Sequence, residues 1–147
     1  MNSQQITLVE TSFAHALPVA DAVAVCFYDR LFEIAPELRT LFPQDMTEQR
    51  RKLMQMLAMV VKGLRDLDRL VPVAMNLGKR HAGYGVQDSH YQTVGAALLW
   101  TLAQSLGELF TPEVEDAWTV AYTLLAGTMQ AGAEQVALDR HEAVVLD

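Results

Sequence analysis

Apolar residues recur along most of this chain at spacings of three and four, and this spacing limits the folds that it can adopt. In the segment 19–35 the apolar positions are Ala20, Val23, Ala24, Phe27, Tyr28 and Leu31. This is the i, i+3, i+4, i+7 stripe of an amphipathic α-helix. No segment shows the sustained polar–apolar alternation of a half-buried β-strand. The sequence therefore predicts an all-α fold.

The positions of proline, glycine and capping residues divide this pattern into about six or seven helices. The predicted segments are residues 7–17, 19–35, the short 36–42, 47–67 with Thr47 as N-cap, 68–81, a helix capped by Asp88 and ended at Gly107, and a last helix opened by Thr111-Pro112-Glu113. Because no linker or repeat interrupts the chain, residues 1–147 are expected to form one domain. Its tail is expected to fray from about Asp139.

Composition excludes several classes of function. The chain has 147 residues, of which 51% are hydrophobic and 20% charged, so it should bury a real core. Its net charge of −7 disfavours binding to nucleic acid, which needs a basic surface. Cys26 is the only cysteine, which excludes an intrachain disulfide and a cysteine cluster for zinc or iron–sulfur. Since the sequence also lacks a signal peptide and an uninterrupted apolar span, a cytoplasmic protein with no membrane segment is expected.

One histidine differs from the other three. His15, His90 and His141 fall near helix ends or in the tail, where surface or capping roles are usual. His81 closes an apolar stripe with Val73 and Leu77, so its ring should point inward. A hydrogen-bonded core histidine is the commoner interpretation of such a position. A single histidine is too few for zinc, but it is enough for haem, where the porphyrin supplies four nitrogens and the protein one axial ligand.

Three other side chains stand out beside this histidine. Gln49 is a polar exception one turn before Leu53 in a long, mostly apolar helix. It could be an exposed first-turn glutamine or a hydrogen-bond donor that reaches over a ligand. Tyr28 lies on an inner stripe, where its hydroxyl needs a partner. Phe42 follows the break at Pro36, where it could be core or could pack flat against a planar cofactor.

Taken together these residues occur in an order that resembles the globins, most closely the bacterial single-domain haemoglobins and the globin part of flavohaemoglobins. The resemblance extends to about residue 135. The matching strings are Phe27-Tyr28-Asp29-Arg30-Leu31-Phe32, Pro36-Glu37-Leu38-Arg39-Thr40-Leu41-Phe42, Gln49 with Leu53, Arg80-His81 with Gly85-Val86, His90-Tyr91, and Asp116-Ala117-Trp118 with Tyr122.

The resemblance implies a globin fold packed around haem b, with His81 as the proximal iron ligand. Tyr28 and Gln49 would be the distal polar pair that donates to a bound gas, and Leu53 the apolar gate beside it. The other implied cofactor contacts are Phe42 on the porphyrin, Tyr91 behind the histidine, Leu57, Leu77, Val86 and Val94. Lys79 and Arg80 would pair with the haem propionates, unless they simply form a solvated face.

Two departures from the flavohaemoglobin pattern bear on function. The chain ends at Asp147, so an attached flavin reductase is not expected. The glutamate that flavohaemoglobins place in their last helix corresponds to Ala133 here. The neighbouring Glu134 would point about 100° away on a regular helix. The proximal triad of that family is therefore expected to be incomplete.

The resemblance implies reversible binding of dioxygen, for storage, delivery or scavenging. One alternative is nitric oxide dioxygenation with an external reductase, and another is gas sensing through a partner. The expected ligands are dioxygen, carbon monoxide and nitric oxide. The sequence leaves open whether the protein is a monomer or a homodimer.

Overall fold

The computed structural model describes the backbone of residues 1–146 and the side chains of residues 1–138. Within residues 1–146 there are six α-helices and no strand. They are α1 (Ser3–Ala16), α2 (Ala20–Ile34), α3 (Thr47–Gly63), α4 (Leu67–Gly83), α5 (Asp88–Leu106) and α6 (Pro112–Leu146). Short 3-10 helices span Leu17–Val19, Pro36–Leu41 and Gly107–Leu109. The all-α prediction from periodicity is confirmed.

Helix α1 begins earlier than the sequence pattern predicted. It starts at Ser3 rather than near Thr7, because Asn2 and Gln5 form a capping box. The Asn2 side chain accepts from the Gln5 amide at 2.8 Å, and the Asn2 amide donates to the Gln5 side chain at 3.0 Å. These polar residues satisfy free helix-end groups without adding to an apolar stripe, which is why periodicity missed them.

The predicted caps of two later helices were wrong by one position. Thr47 is the first residue of α3, and the Asp45 carboxylate accepts from its amide at 3.0 Å and from its hydroxyl at 2.7 Å. Asp88 is likewise the first residue of α5, and Gln87 is the cap.

Helix α3 also ends earlier than predicted, at Gly63 rather than near residue 67. The apolar pattern continues from α3 into α4 across this short break, so it did not mark the end.

The buried face of α2 is the one that periodicity predicted. Val23, Ala24, Phe27, Tyr28 and Leu31 are all buried. Helix α6 closes the other side of the core, where the Trp118 indole donates to the buried Ser12 hydroxyl of α1 at 2.8 Å. The tail that is expected to fray from about Asp139 lies outside the residues whose side chains are described.

Helices α4 and α6 form the most extensive helix pair, and glycines let their backbones touch. A Cβ atom at Gly78 would overlap the backbone carbonyl of Met129, and one at Gly132 would overlap that of Met75. The buried face of α4 is therefore made by Leu70, Ala74 and Gly78. The predicted stripe through Val73 was wrong at that residue, which is 41% exposed.

The segment Ser3–Ile34 is long and apolar enough to cross a membrane by length and composition alone. In the structure it is two helices separated by the 3-10 turn around Pro18. Each helix buries one face, with Val9 and Phe13 in α1 and Phe27 in α2. This amphipathic arrangement is typical of helices that pack on the core of a soluble protein.

A methyl group at Gly132 should destabilise the protein strongly. The Gly132→Ala side chain would meet the backbone of α4, which cannot move without separating the two helices. We expect the free energy of unfolding to fall by about 3 kcal/mol or more, measured by urea unfolding followed by circular dichroism.

Gly127→Ala is the matched control in the same helix, because a Cβ there would meet no atom within 4 Å. It should keep the stability or raise it by up to about 1 kcal/mol through helix propensity. Equal stability of the two variants would contradict the close approach of α4 and α6.

Candidate functional site

Tyr28 is packed among aromatic side chains in the second half of α2. It is 6% exposed. Its ring meets Phe27 edge to face at 4.9 Å and Phe42 edge to face at 5.5 Å, and it stacks on Phe32 at 5.9 Å. Such ring pairs add to the stabilisation from burial and restrict the orientation of each ring. The position of the Tyr28 hydroxyl is therefore fixed by its neighbours.

The Tyr28 hydroxyl has a partner on the neighbouring helix. The Gln49 side-chain amide, in the first turn of α3, donates to the Tyr28 oxygen at 3.1 Å. Gln49 is half-buried, so the interpretation as an exposed first-turn glutamine was wrong. Since the Tyr28 oxygen accepts this bond, its own O–H remains available to donate to another acceptor.

The protonation state of Tyr28 follows from its surroundings. Burial raises the pKa of the Tyr28 phenol above its ordinary value, and the hydrogen bond from Gln49 offsets part of that rise. The phenol is therefore neutral at physiological pH and keeps its proton. A neutral, oriented donor suits an acceptor that carries partial negative charge.

His81 lies near the end of α4 and is half-buried. Its Nδ1 is 2.7 Å from the backbone carbonyl of Leu77, one helical turn earlier. A carbonyl only accepts, so Nδ1 carries a ring proton, and in the neutral imidazole the lone pair is therefore on Nε2. Histidines that bind metals commonly have their second ring nitrogen held in this way. His81 is thus chemically prepared to act as a single axial ligand.

The backbone after His81 turns sharply to place Val86. Gly85 has a φ of 91°, in the region that favours glycine, and the Val86 amide donates to the His81 carbonyl at 3.1 Å. The Tyr84 ring approaches the His81 ring edge to face at 6.1 Å. This turn ends α4 just beyond the histidine and returns an apolar side chain towards the core.

Several predicted cofactor contacts are apolar side chains that the protein covers only in part. Five residues on the connections after α2 and after α4 and on helices α3, α4 and α5 pack against the core while remaining half-exposed: Phe42, Leu53, Leu77, Val86 and Val94. Leu57 and Tyr91 are buried. These apolar surfaces, together with one imidazole that has a free Nε2, fit a planar apolar cofactor with one axial ligand.

The backbone carbonyl of Tyr91 accepts a hydrogen bond from another tyrosine. The Tyr122 hydroxyl of α6 donates to the Tyr91 carbonyl at 2.5 Å. Burial raises the pKa of both phenols, so both are neutral at physiological pH. The ring of Tyr122 lies where a Cβ at Gly95 would come within 2.7 Å of it, so that glycine makes room for the bond.

The remaining predicted residues lie at the surface or cap a helix. Lys79 and Arg80 are exposed on α4, and His15 is exposed on α1. The His90 ring accepts from the Gln87 amide at 3.0 Å and so completes the capping box that begins α5. The side chain of His141 lies outside the described residues.

In helix α6 the side chain of Glu134 lies at the surface and not in the core. Gly132 faces α4, Ala133 is half-buried, and Glu134 is exposed. This matches the expectation from helix geometry that Glu134 does not take the position of Ala133. The acceptor at His81 Nδ1 is the neutral carbonyl of Leu77 instead of a carboxylate.

Sequence reasoning missed two side chains that support Tyr28. Phe32 lies one helical turn after Tyr28, so the i+4 spacing could have found it. Arg39 contacts the ring of Phe32 and the connection that carries Phe42. Its targets there are backbone carbonyls, which every residue has, so residue types alone gave no sign of its role.

Comparisons with known proteins agree with this architecture. The profile of the globin family matches residues 25–129. A flavohemoprotein of Vibrio cholerae is 30% identical, and the match covers 100% of this chain and 36% of that protein. A neuroglobin of Chaenocephalus aceratus is 32% identical over 74% of this chain and 77% of its own. The chain spans about a third of the length of the flavohemoproteins that it matches.

Two solved structures show the same fold. One is an engineered carbene transferase made from a proposed nitric oxide dioxygenase of Rhodothermus marinus. It aligns with 100% of this chain and 99% of its own, with a TM-score of 0.83 and 27% identity. The other is a bacterial globin from Campylobacter jejuni, with a TM-score of 0.82 and 22% identity over 92% of this chain and 99% of its own.

The hydrogen bond between Gln49 and Tyr28 predicts a change in titration. In Gln49→Leu the phenolate of Tyr28 loses a stabilising donor, so the pKa of Tyr28 should rise further above its ordinary value. Nuclear magnetic resonance of labelled tyrosine would follow it. Gln55→Leu, at an exposed position of the same helix, should leave it unchanged. A lower or unaltered pKa in Gln49→Leu would show that the bond does not form.

Proposed function

Because this chain belongs to the globin family, whose members bind haem and diatomic gases, we propose that it carries haem b and binds dioxygen reversibly. The observation that carries the proposal is the hydrogen-bonding state of three polar side chains. Tyr28 is neutral with a free O–H, Gln49 holds its oxygen, and His81 has a free Nε2. This is the donor set needed for one axial ligand and for a polarised gas.

The residues would divide the work as follows. His81 would hold the iron through Nε2. Lys79 and Arg80, both exposed on α4, would pair with the propionates at the solvent edge. The apolar lining would come from Phe42, Leu53, Leu57, Leu77, Val86, Tyr91 and Val94.

When bound, haem supplies iron as the coordination site for a gas and gives it electron density. The Tyr28 O–H donates to the negative end of a polarised ligand, and the second amide hydrogen of Gln49 is free to do the same. Hydrogen bonds to charged acceptors are worth about 1.5–3 kcal/mol each, so one such bond slows ligand loss by roughly tenfold to a hundredfold. Carbon monoxide is less polarised and gains less from the same donors.

We infer the setting of this function from composition. Residues 1–147 would act as one globin domain, with a negative net charge that disfavours nucleic acid as a partner. The single, free Cys26 agrees with a reducing cytoplasm, and we expect no membrane partner. The protein would work as a monomer or a homodimer.

The second candidate function is nitric oxide dioxygenation, in which dioxygen and nitric oxide give nitrate. It is favoured by similarity to flavohemoproteins and to the Rhodothermus marinus protein. It needs the same Tyr28–Gln49 pair and an electron source, which we assign to an external reductase. The exposed Glu134 and the carbonyl partner of His81 favour the carrier over this enzyme.

The haem proposal predicts a red protein whose Soret band depends on His81. His81→Gly should lose haem or bind it weakly, and added imidazole should restore the band by supplying the missing nitrogen. His15→Ala, at an exposed histidine, should keep the wild-type spectrum. Purified protein that takes up no haem would refute the proposal.

The distal pair predicts the kinetics of gas release. Tyr28→Phe and Gln49→Leu should each speed dioxygen dissociation by about tenfold or more in stopped-flow mixing, and change carbon monoxide release less. Gln55→Leu is the control. If neither variant releases dioxygen faster, the distal assignment is wrong.

The carrier and the dioxygenase differ in turnover. The oxygenated protein mixed with nitric oxide should be oxidised once and then stop if it is a carrier. Repeated nitrate formation with a reductase and reduced nicotinamide would instead establish the dioxygenase.

A further inference from the structure

Arg39 is half-buried in the 3-10 helix Pro36–Leu41. Its guanidinium donates to three consecutive backbone carbonyls, those of Phe42 at 3.3 Å, Pro43 at 2.8 Å and Gln44 at 3.1 Å. These residues lie in the connection to α3, where no regular helix or strand supplies donors. The Arg39 side chain therefore fixes the backbone of the connection that carries Phe42.

The same guanidinium also touches the aromatic cluster of Tyr28. It lies over the Phe32 ring, 5.4 Å from the ring centroid. Phe32 and Phe42 meet edge to face at 5.4 Å, and both contact Tyr28. Arg39 thus contacts both residues of the cluster that lie outside the buried stripe of α2.

We propose that Arg39 is a positioning residue for the Tyr28 hydroxyl. The Arg39 guanidinium contacts the face of the Phe32 ring and the backbone carbonyl of Phe42. These two rings in turn orient Tyr28, whose hydroxyl oxygen accepts from Gln49. Lysine would keep the charge but could not span three carbonyls, because it lacks the planar fork of the guanidinium. The kinetic part of this inference rests on the proposed function, whereas the structural part does not.

The first experiment follows the Tyr28 ring in the purified protein, loaded with carbon monoxide if haem is present. In Arg39→Ala and Arg39→Lys, magnetic resonance of labelled tyrosine should show faster flipping of the Tyr28 ring. Arg51→Ala is the matched control, because it removes an arginine of α3 that pairs with Glu48 at the surface. A flip rate equal to that of the wild type in both Arg39 variants would overturn the proposal.

The second experiment is a double-mutant cycle on dioxygen release. Arg39→Ala should speed dissociation by about threefold to tenfold, the equivalent of weakening one hydrogen bond. In a Tyr28→Phe background the same substitution should have no further effect, because the hydroxyl through which it acts is gone. Equal acceleration in both backgrounds would overturn the positioning role.

The two experiments separate the failure of this inference from the failure of the proposed function. A protein without haem would refute dioxygen binding, yet the ring-flip experiment would still decide the role of Arg39. If Arg39→Ala does not fold, as judged by circular dichroism, Arg39→Lys carries both experiments with the same expected directions.

Discussion

The structure depends on the close approach of α4 to α6. Gly78 and Gly132 bring backbone against backbone, and this contact sets the rotation of α4 about its own axis. With Gly78 facing α6, Leu77 and His81 occupy the neighbouring face and remain half-buried. The orientation of the candidate iron ligand is therefore decided by two residues that have no side chain.

This contact also shows where sequence reasoning succeeds and fails. The buried face of α2 was predicted correctly because its residues are large, apolar and regularly spaced. The face of α4 was predicted wrongly at Val73, since the pattern counted apolar residue types while the real contact is made by small ones. The cap at Asn2 was missed because it precedes the apolar stripe from which α1 was placed, and the cap at Gln87 because the next residue, Asp88, is the commoner capping type.

The residues of the candidate site likewise separate into those that sequence reasoning found and those that it missed. Tyr28, Gln49 and His81 were identified from their order along the chain, and the structure shows the hydrogen bonds of all three. Direct contacts join Tyr28, Gln49 and Phe42 in one group and His81 with Leu77 in another. The supporting side chain of Arg39 was not found, because its partners in the connection are backbone carbonyls.

The acceptor behind His81 has a consequence for the metal that this residue would hold. A neutral carbonyl, such as that of Leu77, polarises the N–H bond of an imidazole less than a carboxylate does. It therefore leaves the ring less electron-rich. An iron bound to that ring would meet a weaker electron donor, and its reduction potential would be correspondingly higher. A higher potential favours the ferrous state over electron transfer to a bound ligand. One main-chain oxygen would in this way bias the protein towards keeping its ligand unchanged.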